Sequence, residues 1–158
     1  MPFLIKHPRI IEAGTTSDAM VMNVDFAPTL IDMAGLQIPT EMQGESFKGA
    51  FEGHENKNRK SVYYHYYEWP IWHKVQPHYG IKTDRYKLMH FYYSMDEWEL
   101  YDLETDPNEM NNIYSEAPVD LIENLKYELN ELRKKYKDDG SIEEMRQMTD
   151  TVIRRVYN

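Results

Sequence analysis

The chain has 158 residues, a formal net charge of -9 and a pI near 5.1. Its length suits one domain, which buries roughly 68–70% of the surface the unfolded chain exposes, and its acidity argues against an autonomous nucleic-acid binder, which needs a basic face. There is no cysteine, which excludes disulfides, thiolate nucleophiles and Cys-based zinc sites.

No apolar run approaches the ~18 residues of a membrane span, so no membrane partner is expected. Thirteen tyrosines, three tryptophans and ten methionines imply amphipathic surface that is covered or holds a ligand. The short basic run Lys57 to Lys60 reads as a solvated loop.

In chain order, Phe3 to Ile5 lies between Pro2 and Pro8 and predicts a short strand buried on both faces, the kind found in parallel sheets. A chain that opens in a buried strand is expected to be part of something larger. Ala19 to Met22 is a candidate second strand. Asp25 predicts the N-cap of a helix to about Ala34, with Pro28 in its first turn and Gly35 as its stop. Residues 37–60 carry Pro39, Gly44, Gly49 and Gly53 and read as a linker.

Ser61 to Tyr67 alternates β-branched and aromatic residues at period two and predicts a strand. Pro70 and Pro77 interrupt the stretch from Glu68 to His78, which reads as an aromatic loop. Tyr79 to Asn112 then predicts an antiparallel meander: two aromatic-rich strands joined at Thr83-Asp84-Arg85, and a third, Trp98 to Leu103, closed by Asp106-Pro107. The middle strand is apolar on both faces and so central in its sheet. A helix is predicted from about Ala117 to Lys137, because Ile122, Leu125, Leu129, Leu132 and Tyr136 fall on one stripe. Gly140 stops it, and Ser141 to Asn158 predicts a peripheral helical tail.

Catalytic motifs are missing. The histidines have no metal-ligand spacing, no serine lies in a nucleophile elbow, and no glycine-rich phosphate loop exists. His65 and His90 read as packed strand residues, and Asp138-Asp139-Gly140 as a helix end. The aromatic loop is different. Trp69, Trp72, His73, His78 and Tyr79 offer flat apolar faces with polar edges, suited to stacking on a sugar ring and bonding its hydroxyls; the plain alternative is that these rings plug a domain interface.

The ordered segments PFLIKHPRII, NVDFAPTLIDMAGL, MQGESF, PHYGIKTDRYKLMHFY and WELYDLETDPNEMNN together resemble the C-terminal third of the type I sulfatase family. The likeness covers about Met1 to Gly140 and is nearest to bacterial glucosamine-6-sulfatases and mucin-desulfating sulfatases. It implies an α+β fold: a C-terminal small domain of an alkaline-phosphatase-like sulfatase, with an antiparallel sheet packed on a C-terminal helix. Residues 1–53 would be the last strand, helix and linker of the α/β large domain, 54–140 the small domain, and 141–158 the peripheral tail.

The resemblance also implies hydrolysis of glycan sulfate esters, with 6-sulfated N-acetylglucosamine as the candidate sugar. Such enzymes use a formylglycine made within C/S-x-P-S-R and a calcium ion. This chain contains no such motif, so no catalytic residue carries over, and calcium would be bound by residues outside it. The implied partners are the N-terminal catalytic portion of the same polypeptide and the sulfated glycan. A periplasmic or exported location follows from the same resemblance. The loop before the G-I-K-T strand approaches the pocket mouth in this family, making His78, Trp72 and His73 the candidate substrate contacts. Two alternatives stay open: a phosphodiesterase or phosphonate hydrolase of the same superfamily, and a non-catalytic glycan-binding module.

Overall fold

The computed structural model describes residues 3–52, 59–70 and 73–157. The chain forms two compact units, divided after Lys60.

The first unit is organised on helix α1, Phe26–Met33, entered through a 3-10 turn at Asn23–Asp25. Asp25 is 1% exposed, and no side-chain capping bond to the helix is made. Its carboxylate accepts instead from the backbone amides of Met22 (2.7 Å) and Glu45 (2.9 Å), and from both terminal nitrogens of Arg59. Burial pushes this carboxyl up, but those hydrogen bonds outweigh it and hold it below the usual carboxylate range. Thr29 donates to the Asp25 carbonyl (2.7 Å) and accepts from the Phe47 amide (3.1 Å). That clamp brings the rings of Phe26, Phe47 and Phe51 into edge contact, with Phe3 beside Phe26.

Several expectations change here. Phe3 to Ile5 forms no strand and is exposed, Leu4 by 94%; a strand interior to a parallel sheet needs neighbours on its edges, and none of the described residues supplies one. Ala19 to Met22 forms no strand either. Arg59, expected on a solvated loop, has a side chain only 5% exposed and is paired with Asp25. A buried carboxylate requires such a counter-charge. Part of the expected linker is core, since Phe47 and Phe51 are buried.

The second unit is a four-stranded antiparallel sheet in simple sequential order: β1 Ser61–Tyr66, β2 His78–Thr83, β3 Tyr86–Phe91 and β4 Glu97–Asp102. The turn chemistry at 83–86 fixes the β2–β3 register, with the Tyr86 amide donating to the Thr83 hydroxyl (2.8 Å). Arg85 grips Asp102 across the sheet end (2.8 Å). Helix α2, Val119–Lys135, lays Leu125 and Leu129 on the sheet. Helix α3, Ile142–Tyr157, adds Met145 to the same core.

Alternation gives the sheet two faces. One carries Tyr63, Tyr79, Ile81, Leu88, Tyr92 and Leu100 into the core with α2 and α3. The other carries Tyr64, Tyr66, His78, Gly80, Met89 and Phe91. Gly80 is required where Tyr64 crosses β2. A Cβ at that position would lie 2.5 Å from the Leu88 carbonyl and 2.7 Å from the Tyr64 hydroxyl.

Candidate functional site

The site grows from the pairing of β1 with β2. Their register sets Tyr66 directly opposite His78, and β3 places Phe91 on the other side of His78. The His78 ring stacks on Tyr66, with centroids 5.3 Å apart and planes at 24°, and meets Phe91 at 4.8 Å. Tyr64 presents its ring edgewise at 5.9 Å. His78 is thus the first residue of β2 and not part of the loop before it. Its half-buried imidazole is fixed between three rings.

The polar edge of that ring is also fixed. His78 Nδ1 lies 2.9 Å from the Gln76 carbonyl oxygen, an acceptor only, so Nδ1 carries the proton. In the neutral ring Nε2 is then an acceptor, suited to a sugar hydroxyl; in the protonated ring it donates, suited to an anionic oxygen. His73 reaches the same neighbourhood. Its ring is 6.5 Å from that of Tyr66, and its Nε2 is 3.8 Å from Glu68. Trp72 lies outside the described residues. Tyr66 therefore joins His73 and His78, a role that reading the sequence missed; pairing SVYYHYY against HYGIKT would have exposed it. Trp69 packs instead on Tyr93 at 5.4 Å.

A second polar cluster lies on the core face, where the sequence reading placed only a packed histidine and a helix end. Helix α2 stops at Tyr136, and Lys137 turns the chain at a φ of 58°. The turn aims Asp138 back at β1. Its carboxylate accepts from Tyr63 (2.5 Å), from His65 Nδ1 (2.6 Å) and from Tyr67 (3.0 Å). Nε2 of His65 lies 3.0 Å from the Tyr92 hydroxyl. Burial lowers the affinity of His65 for a second proton despite the facing carboxylate. Burial opposes ionisation of Asp138 too, yet the bonds from Tyr63 and His65 hold its carboxyl below the usual range. This is a neutral histidine bound to an ionised aspartate.

His90 forms a parallel arrangement. It is bonded to Tyr79 (3.0 Å) and Asp96 (2.9 Å), and stacked on Trp98 at 4.2 Å. Arg133 lies over Tyr79 at 4.4 Å and donates to the Asp138 carbonyl (2.9 Å). Both imidazoles have both nitrogens engaged, so the clusters fasten helices to the sheet and leave no free base for chemistry. Among the described residues no three His, Asp or Glu side chains gather into a metal-holding group.

Comparison with known proteins agrees with this architecture. The profile of the family described as N-sulphoglucosamine sulphohydrolase, C-terminal, matches residues 1–135. The chain is 49% identical to an N-acetylglucosamine-6-O-sulfatase of Bacteroides thetaiotaomicron over 144 residues, covering 88% of this chain and 26% of that protein. It is 32% identical to a Delta 4,5-hexuronate-2-O-sulfatase of the same organism, covering 72% of this chain and 24% of that one. A solved structure in complex with its substrate D-glucosamine-2-N,6-O-disulfate superposes with a TM-score of 0.82 at 47% identity, covering 87% of this chain and 29% of that chain. The chain thus spans about a quarter of the length of these curated relatives. Its antiparallel sheet with packed helices is the fold of sulfatase C-terminal domains within the alkaline-phosphatase-like superfamily. By the match over residues 1–135 and the identity across most of its length, this chain belongs to the sulfatase C-terminal domain family.

Proposed function

We propose that this chain is the C-terminal portion of a sulfatase that hydrolyses sulfate esters of glycans, with 6-sulfated N-acetylglucosamine as its substrate. The observation that carries this reading is the 49% identity to an N-acetylglucosamine-6-O-sulfatase sustained over 88% of the chain. The first compact unit closes the large α/β domain, and the second forms the small domain. The nucleophile and the calcium ion belong to residues outside this chain, in the N-terminal catalytic portion of the same polypeptide. The whole protein works in the periplasm or beyond the cell.

In this reading the small domain braces the catalytic portion and contributes one wall of the sugar pocket. His78, with His73 and Trp72, contacts the sugar. The support is geometric: Tyr66 and Phe91 hold the His78 ring, and the Gln76 carbonyl fixes its tautomer. Such a preset imidazole loses little freedom when it bonds a hydroxyl. The test is His78→Ala in the whole polypeptide, read as kcat/KM for N-acetylglucosamine-6-sulfate. Loss of one oriented hydrogen bond predicts a decrease of roughly 10–100-fold. An unchanged specificity constant removes His78 from the pocket.

A further inference from the structure

Helix α3 lies beyond the residues matched by the family profile, which end at 135. Its inner side is fully used. Met145 and Thr149 are buried, Arg146 donates to the Tyr92 carbonyl (2.6 Å) and pairs with Asp96 (2.9 Å), and Tyr93 donates to Asp150 (2.6 Å). Its outer side is an exposed face that carries Glu144, Gln147, Met148, Thr151, Val152 and Arg155. Met148 is 63% exposed and Val152 41%. Glu144, Met148, Thr151 and Arg155 are spaced by four, three and four residues, which sets them on one stripe of the exposed side.

That stripe is complementary to itself when reversed. The midpoint between Glu144 and Arg155 is also the midpoint between Met148 and Thr151. Two α3 helices crossed antiparallel about it set Glu144 against Arg155 twice, ~8 Å either side of the centre at 1.5 Å rise per residue. The apolar Met148 fills the middle. This is the pattern an isologous contact demands, each patch meeting its own copy. Reversing the charge at one end would remove it.

We propose that the outer face of α3 is a self-association surface whose partner is α3 of a second copy of this chain, packed antiparallel. A single helix pair buries less than a standard interface of ~1,600 Å², so the association is weak, with a Kd on the order of 10–100 μM. It has polar ends and an apolar centre.

Sedimentation equilibrium of the full chain at rising concentration tests this with two variants. Arg155→Glu faces Glu144 with a like charge and leaves the Ser141–Glu144 cap untouched. Lys134→Glu makes the same change in net charge on α2, away from that face. The expected result is self-association in the parent chain, at least ~10-fold weaker in Arg155→Glu and Met148→Asp, and within about twofold of the parent in Lys134→Glu. A parent that stays monomeric at several hundred micromolar overturns the proposal. So does association that responds equally to Arg155→Glu and Lys134→Glu, which would place the contact elsewhere, such as on the exposed apolar residues of the first unit. This inference is independent of the sulfatase reading, since neither outcome involves turnover.

Discussion

Removing the Asp138 carboxylate should loosen the second unit far more than its place at a helix end suggests. Asp138→Ala deletes the acceptor of Tyr63, His65 and Tyr67. Tyr67 is exposed and can turn to water, but Tyr63 is buried and the His65 side chain is 2% exposed. Each buried donor left without a partner costs about 1–3 kcal/mol; because the Tyr63 hydroxyl and His65 Nδ1 also lie 3.3 Å apart and can partly pair with each other, the two together cost about 2–4 kcal/mol. For a domain of about 60–100 residues each kcal/mol lowers Tm by about 4–8 °C, which gives a drop of roughly 8–32 °C. The assay is thermal unfolding of the chain followed by near-UV circular dichroism, with the exposed neighbour Asp139→Ala as control. Acid should act on the same couple. His65 binds its second proton less readily in the folded state than in the unfolded one, so stability falls as the pH drops below the ordinary histidine range near ~6.5. Asp138 has a folded pKa below its unfolded value; its contribution is complete above the ordinary carboxylate range and is lost as the pH falls through the lowered one. Asp138→Ala should therefore flatten the Tm profile in the carboxylate range while extending the loss in the histidine range to lower pH, because the carboxylate that favours the second proton on His65 is gone. A variant within about 2 °C of the parent at neutral pH, with an unchanged acid limb, would refute this account of the cluster.

Two further outcomes follow from close contacts. Gly80→Ala should unfold the sheet or shift the register of β2, because a Cβ cannot lie 2.5 Å from the Leu88 carbonyl; amide exchange across β1–β3 reads this, and native-like protection would contradict it. Arg59→Ala strands the buried Asp25 carboxylate, a change that typically costs about 3–5 kcal/mol. Faster exchange of the α1 amides, with those of β1–β4 unchanged, would identify the damage as local to the first unit.

Much of the second unit is legible in the sequence, and the reasons are local. SVYYHYY, YGIKT, YKLMHFY and WELYDL carry strand periodicity, and the Thr83 turn sets their order. The stripe from Ile122 to Tyr136 fixes α2 and the face it buries. What the sequence hides is long-range. His65 and Asp138 meet across 73 positions, and no period in either segment announces the pairing. Arg59 looked solvated because its neighbours are polar, whereas its partner Asp25 is 34 positions away. Phe3 to Ile5 shows the opposite failure: an apolar run predicts burial, but burial needs covering partners, which the described residues do not give it. At the candidate site, residue type singled out His78 and His73, and both rings neighbour Tyr66. Tyr66 escaped notice because cross-strand register brought it there.

The most direct measurement compares sulfate release from N-acetylglucosamine-6-sulfate by the whole polypeptide and by this chain alone, each at saturating substrate with calcium. The account predicts turnover by the whole polypeptide, with preference for the 6-sulfated sugar over an alkyl phosphonate ester, and no release by this chain. Turnover by the isolated chain, or a whole polypeptide that cleaves the phosphonate ester and leaves the sulfate intact, would contradict it.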